Sequence, residues 1–345
     1  MANYTDSVQA AANYKLKEMM LRPEFKVKPS AALGIFLKNT DFLVSASERE
    51  AQWNQKPSDS TTVTVKTLNK QSTTDASARA AAHTGSINDS STANASYTIY
   101  AQKFKYSIKE ADKDIFSLGE HIAAQYRSAF IDWHERVETA LVSSLDTNKS
   151  QAVVSLTPAS GIWDASNYLF GVAAANEDYY FQHIQMFMKE QYYSGQFDVL
   201  NSVGAAIKMA QITNQGAGNS SNLQWQDMGL TPHTSTGITL DSGYQYQSFM
   251  IPQGTIGILP WIPRLNRDGF GNIFQSGGMY STMPDPLGSG LTFAVHQYAT
   301  AADNATPAET QDIDIQVEIS CDLAPFYAPQ TTSNANPVFL CGLLT

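Results

Sequence analysis

The sequence predicts an α+β protein built round one long helix, and three observations carry that expectation. Between residues 117 and 145 the apolar side chains Leu118, Ile122, Tyr126, Phe130, Trp133, Val137, Leu141 and Leu145 recur every three or four positions, which lays them on one helical face. From Asp312 to Leu323, Ile313, Ile315, Val317, Ile319 and Cys321 alternate with Asp312, Asp314, Gln316, Glu318, Ser320 and Asp322, the period of a strand with one buried face. Third, 345 residues with 43% hydrophobic content, 16 Tyr and 16 Phe suffice for one large core or two modest ones.

Taken in order, residues 1–49 begin with a weak helical pattern over 7–20. They continue as a proline-punctuated basic segment with Lys15, Lys17, Arg22, Lys26 and Lys28, expected to lie outside the chain's own core. Residues 61–68 and 97–109 are rich in β-favouring side chains and are expected to pair as an antiparallel ribbon. The stretch between them, 70–96, is almost entirely Ser, Thr, Ala, Asn, Asp and Gly, an unusually long connection for a compact domain. A two-stranded ribbon of this kind has too little core to stand alone, so it is expected to lean on another chain. Ser117 with Glu120 forms a capping box that starts the long helix, roughly 40 Å at 1.5 Å per residue.

Beyond it, residues 176–193 read as a second helix stopping before Gly195, followed by a strand at 197–200 and a small helix at 203–212. Short strands are expected at 237–240, 246–251, 255–261 and 290–299, separated by Gly, Pro and Asp. The acidic strand at 312–323 is expected to pack its apolar side on the long helix and to leave its acidic side in water. The apolar segment 337–344 is expected to pair near it.

Charge is divided unevenly. Residues 1–150 carry 18 Lys or Arg against 17 Asp or Glu, whereas residues 151–345 carry 4 against 15. One reading is a solvated acidic surface; the other is complementarity between copies, the basic amino-terminal segment of one lying on the acidic half of the next, which would weaken at high salt. No basic stripe able to neutralise many phosphates is present, which disfavours strong nucleic-acid binding. Neither an export signal nor a membrane span is expected, and Cys321 and Cys341 are expected to be buried thiols in a reducing cytoplasm.

Motifs for catalysis are sparse. The six histidines are scattered without metal-ligand spacing, and no nucleophile elbow, phosphate loop or dinucleotide fingerprint occurs, so no metal, cofactor or catalytic residue is assigned. The one carboxylate row, Asp312, Asp314 and Glu318, has neighbours roughly 6.5–7 Å apart on one strand face, a separation compatible with glycoside hydrolysis. A solvated strand face gives the same alternation without any chemistry.

The order of basic arm, ribbon, long helix, mixed α/β segment and returning strand resembles the major capsid proteins of tailed bacteriophages, the Hong-Kong-97-type fold. The stretches that carry the resemblance are Phe104-Lys-Tyr-Ser-Ile-Lys-Glu110, Ile251-Pro-Gln-Gly-Thr-Ile-Gly-Ile258, and 312–325 followed by Pro337-Val-Phe-Leu340. The resemblance implies an amino-terminal arm at 1–49, an extended loop at 50–107, a peripheral domain with the spine helix at 108–164, an axial domain at 165–286, and closing peripheral strands with the carboxy-terminal segment at 287–345. It further implies a non-enzymatic shell protein assembling as hexamers and pentamers in host cytoplasm into a virion head. The head would enclose double-stranded DNA without sequence-specific binding, with portal, scaffolding or decoration proteins as further partners. The residues singled out as inter-subunit contacts are Lys15, Lys17, Arg22, Lys26, Lys28, Lys66, Lys70, Asp312, Asp314 and Glu318. The alternatives are an encapsulin-type compartment shell and a β-rich carbohydrate-active enzyme using Asp312, Asp314 and Glu318.

Overall fold

The computed structural model describes residues 14–16, 18, 30–43, 62–68, 90–107, 118–216, 229–262, 278–301, 313–327 and 336–345; among these described residues, helical residues at 14–16 and 18 are followed by fourteen strands and four α-helices. In chain order these are α1 (Ala31–Leu43), β1 (Thr62–Leu68), β2 (Ser90–Ser96), β3 (Ala101–Ser107), α2 (Leu118–Thr147), β4 (Ile162–Asp164) and β5 (Leu169–Val172). A 3₁₀ turn at Ala174–Tyr179 leads into α3 (Tyr180–Glu190), β6 (Phe197–Asn201), α4 (Val203–Gly216), β7 (Leu230–Thr234), β8 (Tyr244–Pro252) and β9 (Ile256–Trp261). The chain closes with β10 (Gly278–Pro284), β11 (Thr292–Ala301), β12 (Ile313–Ser320), β13 (Asp322–Tyr327) and β14 (Phe339–Leu344).

Helix α2 is the 30-residue element that the apolar spacing predicts, and Ile122, Tyr126, Phe130, Trp133, Val137, Leu141 and Leu145 are all buried. A four-stranded antiparallel sheet, ordered β10-β11-β12-β3, packs its inner face on that helix. Phe104 of β3 meets Tyr126 edge-on at 4.9 Å, and Phe293 of β11 stands 5.0 Å from Phe130 and 4.7 Å from Trp133. Such edge-to-face pairs add about 0.5–1.5 kcal/mol each beyond the area they bury. Ile315, Val317 and Ile319 are buried from β12, as the alternation requires.

A second, six-stranded sheet runs β4-β5-β14-β8-β6-β7, parallel at β5–β14 and β6–β7 and antiparallel elsewhere. One face is covered by α3 and α4 through Phe181, Ile184, Phe187, Met188, Ala205 and Met209. Leu169, Leu200, Phe249, Ile251 and Leu340 from the other face join the core shared with α1 and α2. Coverage on both sides is why Phe339-Leu-Cys-Gly-Leu-Leu344 is apolar at every position rather than alternating.

Several sequence expectations change. Residues 101–107 do not pair with 61–68: β1 pairs β2 in register from Thr62 opposite Ser96 to Leu68 opposite Ser90, and β3 pairs β12. Far from lying outside the core, α1 places Ala32, Leu33, Ile35 and Phe36 at no more than 1% exposure, and Leu16 is equally buried. No strand forms at 237–240; the strand is β7, whose Pro232 is accommodated because β7 is an edge. Helix α3 ends at Glu190, and the left-handed residue just beyond it is Tyr192, at φ 63°, ahead of Gly195.

The segment 312–323 is not one strand, because after Ser320 the chain leaves the four-stranded sheet and β13 pairs β9 instead. The carboxy-terminal strand β14 lies in the six-stranded sheet, away from β12. Accordingly β10, within the range expected for an axial domain, belongs with the long helix, and β14, expected among the closing strands, belongs with the other sheet. The Ser117 half of the capping box lies outside the described residues, while Glu120 sits in the first turn of α2.

In the β9–β13 pair, Gly257 lies opposite Phe326, and a Cβ there would come within 2.3 Å of the Phe326 ring. That ring is 3% exposed and has nowhere to retreat. Gly257→Ala is therefore expected to destabilise the chain by about 1–3 kcal/mol, the usual cost of overpacking, seen as a lowered midpoint in urea unfolding.

Candidate functional site

The outer face of the four-stranded sheet collects the residues on which the sequence concentrates charge. Register places Glu318 of β12 opposite Lys103 of β3 and opposite His296 of β11, with Gln316 opposite Lys105 and Tyr298. Lys103 Nζ stands 3.2 Å from Glu318 Oε2, and Lys105 Nζ 3.6 Å from Asp314 Oδ2. The two carboxylates are only 14% and 15% exposed, whereas the lysines are 74% and 68% exposed. The acidic side of the strand is thus half-buried under a row of lysines rather than open to water. Lys103, Phe104, Lys105, His296, Tyr298, Gln316, Val317 and Glu318 line a shallow groove of about 490 Å³ there.

For hydrolysis, two carboxyls need unequal environments, one of them apolar enough to keep a proton. Asp314 and Glu318 instead share one kind of environment, each beside a lysine on a polar sheet face. Asp312 lies outside the described residues, as do Lys17, Arg22, Lys26, Lys28 and Lys70. Lys66 falls in β1, opposite Thr92. Lys15 is held within its own chain, 3.3 Å from Glu18 and 3.7 Å from Glu120 at the start of α2. Among the described residues, no group of three or more His, Cys, Asp or Glu is placed to hold a metal ion. No described helix is long and apolar enough to cross a membrane. Cys321 and Cys341 are both buried, and burial pushes both thiols well above their ordinary range.

Two buried carboxylates went unremarked in the sequence. Asp198, in β6 and wholly buried, accepts from Lys38 Nζ at 2.8 Å and Asn39 Nδ2 at 2.9 Å, both on α1. His233 Nε2 of β7 stands 3.4 Å away, an ion-pair distance when the ring is charged. Burial alone would raise the Asp198 carboxyl, but His233, Lys38 and Asn39 together outweigh it and hold the group below the usual carboxylate range. Asp285, between β10 and β11, is likewise raised by burial yet held low, by His134 Nε2 at 3.0 Å and by the Leu287 and Ser289 amides.

The signal for the lysine row was present: Lys103 and Lys105 alternate as Glu318, Gln316 and Asp314 do, so pairing 101–107 with the acidic strand sets Lys103 opposite Glu318 and Lys105 diagonal to Asp314. The pairs Lys38–Asp198, Lys103–Glu318 and Lys105–Asp314 each join the basic amino-terminal half to the acidic carboxy-terminal half within one chain. Part of the complementarity expected between copies is thus satisfied inside each copy.

The chain is similar to cyanophage capsid chains. Against the capsid asymmetric unit of cyanophage A-1(L) the TM-score is 0.48 at 10% identity, covering 91% of this chain and 93% of that one. The capsid asymmetric unit of cyanophage Pam1 gives 0.47 at 10% identity, with 90% and 92% covered. A structure from Mycobacterium phage Bobi gives 0.46 at 14% identity, with 92% and 91% covered. No family model matches the sequence, and no curated protein does.

Proposed function

We propose that this chain is a major capsid protein of Hong-Kong-97 type, many copies of which close into the icosahedral head of a tailed double-stranded DNA bacteriophage. The observation that carries the reading is the β1–β2 ribbon. It is a two-stranded sheet joined by no third strand among the described residues, and it precedes a 30-residue helix backed by a four-stranded sheet. Its base is anchored at home, where Ala95 packs with Leu259, Trp261, Ala324 and Phe326, and the rest is read as lying on a neighbouring copy, since two-stranded ribbons are marginal in water. The surface agrees: Val154, Leu156, Ile162, Met186, Tyr192 and Ile207 are large apolar side chains between 51% and 73% exposed, surface that contacts between copies would cover.

In this reading the work of the protein is geometric rather than catalytic. Hexamers and pentamers form by overlap of ribbons and amino-terminal segments, with Lys17, Arg22, Lys26, Lys28, Lys66 and Lys70 contributing charged contacts. Lys15, Asp314 and Glu318 add to those contacts from positions already ion-paired at home. The test is electron microscopy of purified full-length protein together with sedimentation at low and high salt. Capsomers or closed shells that loosen as salt rises are expected, whereas a monodisperse monomer at micromolar concentration overturns the proposal. Native particles without nuclease-resistant DNA would refute the phage-head part and leave a protein-enclosing compartment.

A further inference from the structure

Helix α1 is fastened at its two ends by different chemistry. At the amino end Ser30 is the cap: its Oγ accepts the Leu33 amide at 3.1 Å and donates to Glu138 Oε2 of α2, which also accepts the Ala32 amide at 3.0 Å. The Ser30 amide itself donates to His134 Nδ1 at 3.3 Å. At the carboxy end Lys38 and Asn39 reach Asp198, Asn39 Oδ1 accepts the Gly254 amide at 2.6 Å, and Thr40 Oγ1 accepts the Ile258 amide at 2.8 Å.

One bond in this set exists in a single protonation state. An imidazole nitrogen that accepts an amide N–H carries no proton, so Nε2 bears the hydrogen and donates it to Asp285 Oδ2. A proton added at Nδ1 would set one N–H against another in a site where His134 is 2% and Ser30 7% exposed. Water is excluded, so the displaced amide finds no ready substitute. The groups facing the ring are Asp285 from the β10–β11 connection, Glu138 one turn along α2, the Ser30 hydroxyl, and the Trp133 indole at 5.0 Å; after burial and Asp322, the Asp285 charge also raises the Cys321 thiol. Glu138 Oε1 is buried without a hydrogen-bond partner among the described residues, so the carboxylate holds the cap through Oε2.

We infer that His134 is a proton-gated catch: the neutral ring helps to hold the root of α1 against α2, and protonation breaks the Ser30 amide bond and loosens that end, leaving Glu138 to hold it, while the Lys38–Asp198 end stays fastened. The chain entering α1 carries Lys17, Arg22, Lys26 and Lys28, so the catch acts at the root of that basic segment. This holds whether or not the protein forms shells.

The test is amide hydrogen exchange on the full chain between pH 8 and 5, the interval in which imidazole side chains change charge, corrected for the intrinsic pH dependence of exchange. Protection of residues 30–36 is expected to fall at least tenfold toward pH 5 while that of 38–43 holds. In His134→Gln, the amide oxygen accepts from Ser30 and its NH₂ donates to Asp285 without titrating, so protection should stay level. A level wild-type profile, or a Gln variant that keeps the wild-type pH dependence, overturns the inference. Should the Gln variant fail to fold, the wild-type profile decides alone: loss confined to 30–36 supports the catch, and uniform loss refutes it.

Discussion

Replacing Trp133 with alanine is expected to lower the stability of the chain by about 3–5 kcal/mol, measured by urea unfolding at pH 7. Trp133 is fully buried where α2, β3 and β11 meet. Its ring makes edge contacts with Phe293 at 4.7 Å and with Tyr100 at 6.3 Å, and its Nε1 donates to the Tyr100 carbonyl at 3.2 Å. Truncation removes the transfer energy of an indole and leaves a hole ringed by aromatics that cannot all close on it. The hydrogen bond adds little to that cost, because the Tyr100 carbonyl also accepts the Cys321 amide at 3.1 Å and is not orphaned. Trp133→Phe, which keeps a ring, is expected to cost roughly half as much. Ile99→Ala should change stability by no more than about 0.5 kcal/mol, since Ile99 is 68% exposed. Equal losses at Trp133 and Ile99 would contradict the packing described.

The same helix shows which elements a sequence reveals. Every third or fourth residue of α2 is apolar because one side meets a sheet and the other meets water, and the pattern records that asymmetry. Helix α1 leaves no such record. Ala31-Ala-Leu-Gly-Ile-Phe-Leu37 is apolar throughout, and its polar Asn39 and Thr40 are buried too, satisfied by Asp198, Gly254 and Ile258 across the core. The stripe that α1 leaves to solvent, Gly34, Lys38 and Asp41, is narrow and its first turns carry no polar side chain, so the sequence shows little period there. Strand β2 was invisible for the opposite reason, since Ser-Ser-Thr-Ala-Asn-Ala-Ser has little β propensity and its state is set by pairing with β1.

The candidate site divides along the same line. The carboxylate row of β12 was legible from alternation, but its lysine partners depended on a pairing between residues more than two hundred positions apart. Asp198 and Asp285 gave no local signal, because what makes each of them matter is a histidine or lysine brought from another element.

Asp198→Ala is expected to destabilise the chain by about 2–3 kcal/mol at pH 7. That is less than the roughly 3–5 kcal/mol lost when a fully buried pair is broken, because Lys38 is 38% exposed and can turn its ammonium toward water. Asn39 also keeps two partners, since its Nδ2 donates to the Ile35 carbonyl at 2.8 Å and its Oδ1 accepts the Gly254 amide. The pH dependence separates charge from shape. The Asp198 carboxyl is held below its usual range in the folded chain, so the folded state binds that proton more weakly than the unfolded state does. Its contribution is therefore complete above the unfolded carboxylate value of about 3.9 and disappears as pH falls through the lower folded value. Urea midpoints measured from pH 6 down to pH 2 should fall less steeply in Asp198→Asn than in the wild type, because the amide keeps an acceptor for Lys38 but has no proton to gain. Asp285 follows the same sign, so the Asn variant retains part of the slope rather than none of it. Identical slopes in the two proteins would mean that Lys38, Asn39 and His233 do not stabilise the charged carboxylate, and the anchor between α1 and the six-stranded sheet would then rest on packing alone.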